Sequence, residues 1–229
     1  MRILVTGAAG SVAQQVLPAL KRRYEVRPVD LPDGDLSDPG VARRLVHGVD
    51  AIVHLAGNPD PAASWEDLHR SNIVGVTNIL AVAGGTRVVL ASSVHAVGQY
   101  RLGGVDAQRP AAPCCNYGAT KAFAEAAAQA HAYQTGGTAI CLRLGACTPT
   151  PPARQALELW LAPEDLQQLV IRALEAPARF AIAPGVSANS GSRWSTANTI
   201  GYRPAKDSAQ YRTQVDDVPG WATCEGATA

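Results

Sequence analysis

No stretch of this chain stays apolar long enough to cross a membrane. The opening "MRILVTGAAG" breaks into glycines after a few residues, and no later segment approaches the ~20 residues that a span requires. The same opening run is too short for a secretory leader, so a soluble protein is expected. Charge is sparse as well: 17% of residues are charged, the net charge is +1 and there is no basic run. Those values remove the electrostatic footprint of a nucleic-acid binder. The cysteines, Cys114, Cys115, Cys141, Cys147 and Cys224, are odd in number and lack paired spacings. Neither a disulfide framework nor a metal site is expected, and reduced thiols point to the cytoplasm. His47, His54, His69 and His131 show no metal-ligand spacing either. There is no internal repeat.

What the chain does have is alternation. At 229 residues it is long enough for one large domain with a sizeable core. "RILVT" (2 to 6), "YEVRPVD" (24 to 30), "DAIVHLA" (50 to 56), "RVVLAS" (87 to 92) and "AICLRL" (139 to 144) read as buried strands, with helix-length pieces between them. Strands separated by helices imply parallel pairing through crossovers, with helices on both faces of the sheet. The expected fold is α/β, a doubly wound parallel sheet of the Rossmann type. After Leu144 the rhythm loosens. "TPTPP" (148 to 152) is a Pro-rich loop, "APEDLQQLVIRALEAP" (162 to 177) is a helix with Pro163 and two acids in its first turn, and "RFAIAP" is a short strand. A single domain over 1–212 is expected, with 145–212 forming most of a small carboxyl-terminal substrate lobe. The aperiodic residues 213–229 are expected to be a flexible tail.

Two motifs carry chemistry. "LVTGAAGSVAQQV" (4 to 16) follows the first strand and supplies Gly7, Gly10 and Ala13. Glycine at such a turn admits a pyrophosphate to the helix's free N–H groups and positive dipole end. Twenty residues past Gly10 the second strand ends in Asp30, where a carboxylate accepts hydrogen bonds from adenosine ribose hydroxyls and repels the extra phosphate of NADP. No Arg directly follows Asp30, so NAD is expected over NADP. The second motif is "NYGATKAFAE" (116 to 125). Tyr117 and Lys121 lie four apart and share a helix face, where an ammonium beside a phenol would lower the phenol's pKa from about 10. "LASSVHAVG" (90 to 98) places Ser93 after the fourth strand, at the sheet edge where ligands bind.

With Gly-x-x-Gly-x-x-Ala, Asp30, "DL" at 35 and 36, "HLAG" at 54 to 57, Asn72, Ser93 and Tyr-x-x-x-Lys, the chain resembles an extended short-chain dehydrogenase/reductase of the epimerase/dehydratase group. Within that group, "ASSVHAVG", "RLGACTP", Trp160 and "GVSANSGSRW" (185 to 194) are most similar to bacterial uronate dehydrogenases. The resemblance implies hydride transfer between NAD and a small hydroxy, keto or sugar-acid-like substrate. Ser93, Tyr117 and Lys121 would be catalytic. Gly7, Gly10, Ser11, Val12, Asp30, Asp35, Leu36, Leu55, Ala56, Gly57, Asn72, Tyr117 and Lys121 would hold the cofactor, with Asp35 and Leu36 bordering the adenine. The substrate would meet Ser93, Val94, His95, Ala146 and Arg154. A homodimer through two copies of the Tyr-bearing helix is implied.

Departures from that pattern bear on the substrate. Positions that are polar in uronate dehydrogenases read here as Pro59, Val94 and Ala146, and an Arg of the "TPxP" loop is matched by Gln155 or, with a one-residue shift, Arg154. Each polar partner lost from a buried substrate group costs about 1–3 kcal/mol, so three losses amount to several powers of ten in efficiency. The expectation is surviving redox machinery with an altered pocket, for a substrate less hydroxylated or less acidic than a hexuronate. Two alternatives remain open at this point: an epimerase or dehydratase that retains NAD, and a non-catalytic dinucleotide-binding sensor. Asn72 lies on the apolar stripe of a helix capped by Ser64, as a satisfied core amide, within the proton pathway, or in both roles, which are compatible. Arg143 is expected to make structural hydrogen bonds from a strand end. Cys114 and Cys115 are expected to be small apolar filling near the pocket.

Overall fold

The computed structural model describes residues 1–100 and 104–218. Six strands, β1 (Arg2–Thr6), β2 (Glu25–Val29), β3 (Ala51–His54), β4 (Arg87–Ser93), β5 (Ala139–Leu144) and β6 (Phe180–Gly185), form one parallel sheet in the order β2-β1-β3-β4-β5-β6. Every run read as a strand is a strand. β3 and β5 are buried along their whole length, which is why they read as unbroken apolar runs. The two borders, β2 and β6, each contain a proline, Pro28 and Pro184, a residue that lacks a donor for a further strand.

Helices α1 (Ser11–Lys21) and α6 (Pro163–Glu175) cover one face, around Val5, Val53, Ile140, Leu166 and Leu169. The other face is covered by α2 (Pro39–Val46), α4 (Gly75–Ala83) and α5 (Asn116–Thr135), around Leu4, Ile52, Ile79, Val88 and Ala128. Ahead of α4 come α3 (Trp65–Leu68), capped by Ser64, and a π-helical segment His69–Val74. Since β6 and α6 complete the sheet and one of its layers, residues 145–212 are shared between this core and a set of loops. The loops gather on a third apolar cluster of Val94, Val97, Val105, Leu159, Val186 and Trp194, beside the end of β4.

The motif "GVSANSGSRW" fastens those loops. The Ser187 hydroxyl donates to Asp165 Oδ2 at 2.7 Å and accepts from the Ala162 N–H at 2.9 Å, while Asn189 Nδ2 donates to the Trp160 carbonyl at 2.8 Å. The tail is held as far as Val218: the Arg154 N–H donates to the Asp216 carbonyl at 2.9 Å, and Gln155 bonds the Val218 backbone in both directions. Polar backbone pairing of this kind leaves no hydrophobic period for a sequence reading to find. Cys224 and the rest of the tail lie outside the described residues.

One buried ion pair sets the position of α5. Glu125 accepts two hydrogen bonds from Arg143 of β5, both at 2.8 Å, and one from the Ser92 hydroxyl of β4 at 2.6 Å. Both charged side chains are about 95% buried. Glu125→Ala would strand the Arg143 charge. The expected loss is about 3–5 kcal/mol of folding free energy, read by urea denaturation, and a loss below about 1 kcal/mol would show the pair to be redundant.

Candidate active site

The chain runs from β1 to β2 on one side and returns to β3 on the other, so a crevice opens between the carboxyl ends of β1 and β3. Gly7 sits at its mouth with φ 68, and a Cβ there would lie 2.6 Å from the Ala56 nitrogen. Only glycine permits this approach. Gly10 caps α1 without a side chain, leaving the first-turn N–H groups with no side-chain acceptor. Asp30 closes the turn: its Oδ2 accepts from the Ala9 N–H at 2.7 Å and its Oδ1 from the Leu31 N–H at 2.8 Å. Each carboxylate oxygen keeps a further lone pair for a hydroxyl donor.

Two cavities follow the crevice. One of about 480 Å³ is lined by Gly7, Gly10, Asp30, Asp35, Leu36, Leu55, Ala56 and Gly57. The other, of about 270 Å³, is lined by Ser11, Val12, Pro59, Ser93, His95, Tyr117, Lys121 and Cys147. Leu55, Gly57 and Asn58 belong to both walls, so the two cavities form one elongated cleft. The close backbone approach at Gly7, the uncapped helix end, the Asp30 carboxylate and this shared wall all fit a dinucleotide. NAD would lie with its adenosine in the larger cavity and its nicotinamide beside Tyr117 and Lys121. Asp35 is braced at the adenosine end by the Ser37 N–H at 2.8 Å and by Arg70 at 2.6 Å. These partners, Ser37 foremost, hold its carboxyl below the usual range.

Asn72 is a satisfied core amide. From the π-helical segment its Oδ1 accepts from the Asn58 N–H at 2.7 Å and its Nδ2 donates to the Asn58 carbonyl at 3.0 Å. It thereby fixes the Asn58 corner of the cleft. The unusual helix turn is what aims it there.

The smaller cavity brings Ser93, Tyr117 and Lys121 onto one wall. Tyr117 and Lys121 share one face of α5, and both line this cavity with Ser93, whose hydroxyl acts to lower the pKa of the phenol. The expectation that the ammonium depresses the phenol is overturned. Lys121 Nζ lies over the ring face, 5.5 Å from its centroid, and donates to the Ala91 carbonyl at 3.0 Å. Burial therefore dominates: it pushes Tyr117 up to about 12, against the opposing influence of the Ser93 hydroxyl, and lowers Lys121 to about 8. Nearby His54 is held neutral, lowered to about 3 by burial first and by Lys121 second. His95 stands edge-on to Tyr117, with ring centroids 5.4 Å apart, and burial also lowers its pKa.

Other substrate candidates are displaced from the cavity wall. Val94 is turned into the third apolar cluster. Ala146 pairs by backbone with Leu159 and Leu161. Arg154 is half exposed and faces Asp217 at 3.6 Å, because the tail offers it a carboxylate. Gln155 bonds Val218. Arg143 is structural, as expected. Cys114 and Cys115 lie behind His95, and the wall thiol is Cys147 instead. Asn58 and Cys147 escaped the sequence reading; only the neighbouring "HLAG" and "RLG" runs marked their surroundings.

A dinucleotide-shaped cleft at a strand switch, ending on Ser93, Tyr117 and Lys121, is the architecture of short-chain dehydrogenase/reductase proteins. The chain belongs to the NAD dependent epimerase/dehydratase family, whose model matches residues 3–148. It is 32% identical to a uronate dehydrogenase of Pseudomonas syringae pv. tomato, over 95% of this chain and 86% of the relative. It is 31% identical to an L-arabinose 1-dehydrogenase (NAD(P)(+)) of Haloferax volcanii, over 91% of this chain and 98% of the relative. Among solved structures, a glucuronic acid dehydrogenase from Chromohalobacter salexigens matches with a TM-score of 0.86 at 30% identity, covering 93% of this chain and 88% of that one. A mutant uronate dehydrogenase from Agrobacterium tumefaciens complexed with NAD matches with a TM-score of 0.85 at 28% identity, again over 93% and 88%.

The buried lysine has a measurable signature. With Lys121 lowered from 10.5 to about 8, the unfolded chain binds more protons than the folded one between those values, and stability rises with pH across that window. Near pH 7 the folded protein holds a buried ammonium. Lys121→Met is therefore expected to be more stable than the native protein by about 1–3 kcal/mol near pH 7, with a smaller gap at about pH 9.5. Urea unfolding at both values checks the sign. Equal stabilities throughout would place the amine in contact with water.

Proposed function

We propose that the protein is an NAD-dependent oxidoreductase acting on a small neutral hydroxy or keto compound of the aldose type, with hexuronates as poor substrates. The observation that carries this reading is the make-up of the smaller cavity. Among the described residues no arginine lines it, and its one cation, Lys121, is bonded to Ala91. A substrate carboxylate would have no bidentate partner there.

NAD, when bound, supplies the hydride acceptor. The Ser93 hydroxyl holds the reacting oxygen against Tyr117, and the Tyr117 phenol exchanges the proton of that oxygen. Lys121 faces the ribose side through the space left by Gly57, whose absent Cβ would lie 3.7 Å from Nζ. His95, neutral through burial, offers a second hydrogen bond to a substrate hydroxyl. Asp30 opposes the extra phosphate of NADP. The loops on the third apolar cluster would serve as the substrate-side lobe. We further assign the protein to the cytoplasm, where its thiols stay reduced.

The outer face of α5 carries Phe123 and Tyr133, 40% and 86% exposed, with Ala126 and Ala130 between them. That stripe supports a homodimer. Light scattering should give twice the 23.9 kDa chain mass, and Phe123→Glu should return the protein to a monomer.

The function is tested by following NADH formation against aldoses, hydroxy ketones and hexuronates. Aldose-type substrates should exceed hexuronates in kcat/KM by at least about a hundredfold. Tyr117→Phe should lose about 10²- to 10⁴-fold in turnover while binding NAD within a few-fold of the native protein. Preferred oxidation of galacturonate or glucuronate would refute the substrate class. Substrate conversion with retained NAD and no net NADH would identify an epimerase or dehydratase.

A further inference from the structure

Behind the catalytic tyrosine, His95, Cys114 and Cys115 bring three soft ligand atoms together, all within 4.8 Å of one another. The two sulfurs approach the same ring nitrogen: Nδ1 of His95 lies 3.6 Å from Cys114 Sγ and 3.4 Å from Cys115 Sγ. A tetrahedral zinc ion, with bonds of about 2.3 Å to sulfur and about 2.05 Å to nitrogen, has S···N edges of about 3.6 Å. The two edges observed already match that figure. Nothing in the sequence spacing announces the set, because His95 comes from the loop after β4 and the cysteines from the start of α5.

The geometry points to a binding site for a soft divalent cation, zinc foremost, formed by His95, Cys114 and Cys115, whose occupation inhibits the enzyme. Two thiolates and one imidazole are a ligand set that favours zinc over magnesium or calcium, which take oxygen ligands. On binding, each thiol gives up its proton to solvent and forms one metal–sulfur bond; no electron is transferred. A fourth position stays open to water.

The inhibitory consequence, which rests on the proposed oxidoreductase activity, follows from what the ligands already do. His95 packs edge-on against Tyr117 and lines the substrate cavity. Cys115 Sγ caps α5 by accepting from the Gly118 N–H at 3.4 Å, one residue beyond Tyr117. Drawing Nδ1 and both sulfurs onto one ion shifts the His95 ring at the cavity wall and ties it to the first turn of the catalytic helix.

The test is a cobalt titration of the full chain, freed of metal and kept reduced, followed by its thiolate-to-metal charge-transfer absorption. One equivalent of Co²⁺ should produce the band and one of Zn²⁺ should abolish it. Cys114→Ser combined with Cys115→Ser, which keeps a hydroxyl cap on α5, should lose the band. His95→Ala should weaken cobalt binding by at least about tenfold. No band in the native protein, or a band that survives in the double variant and vanishes in Cys147→Ser, overturns the site. In turnover assays Zn²⁺ should depress native kcat/KM at least about tenfold in a saturable manner and spare the double variant. Zinc bound at the cluster with turnover unchanged overturns the inhibitory role. Because the cobalt band is read without substrate, failure of the site and failure of the proposed reaction are told apart.

Discussion

The position of α5 depends on one buried clamp. Tyr117, Lys121 and Glu125 recur every fourth residue, so they form a single stripe facing the sheet. Glu125 is gripped by Arg143 of β5 and Ser92 of β4, which fixes both the rotation of the helix and its height along the strands. One turn away, Lys121 meets the Ala91 carbonyl of β4, and one turn further Tyr117 lines the smaller cavity with Ser93 from the end of that strand. Slippage of the helix would move all three contacts together.

That arrangement places two titratable groups in a dry setting before any ligand arrives. Burial favours the neutral form of each, which keeps the phenol protonated and weakens the hold of the amine on its proton. In the proposed reaction that proton on Tyr117 would be the one given to a carbonyl oxygen. Taking a proton from an alcohol at Tyr117 would require a positive partner close by, a charge that NAD would supply if bound beside it. The role proposed for Lys121 and the stability of the unliganded protein therefore pull in opposite directions, a tension common to sites built from buried ionisable groups.

Much of this was legible in the sequence because it obeys local rules. Strands buried on both sides read as apolar runs, as β3 and β5 do, and the half-exposed β2 was found from its place in the strand–helix alternation. Gly7 was readable because a backbone crossing at 2.6 Å admits no side chain, and Tyr117 with Lys121 because four residues make about one helical turn. What escaped depends on distance in space. The phenol was expected to be acidified by its neighbour, yet sequence spacing says nothing of the ammonium lying over the ring face, nor of how dry the site is. Arg154 was named as a substrate contact, and no local spacing could pair it with Asp217 of the tail. The cysteine pair read as filler because the histidine that meets it comes from another segment. Asn72 was undecided between two roles, and the π-helical turn that orients it on Asn58 leaves no composition signal.

The border strands carry a consequence for the chain in a crowded solution. An open parallel sheet ordinarily ends in rows of free donors and acceptors on which a foreign strand could register. Here Pro28 interrupts one such row and Pro184 the other, each replacing an N–H with a ring that holds off an incoming backbone. Recruitment of neighbouring chains through their β-edges is blocked at both rims, so a fold rich in aliphatic strands is guarded against fibrillar stacking by two imino acids.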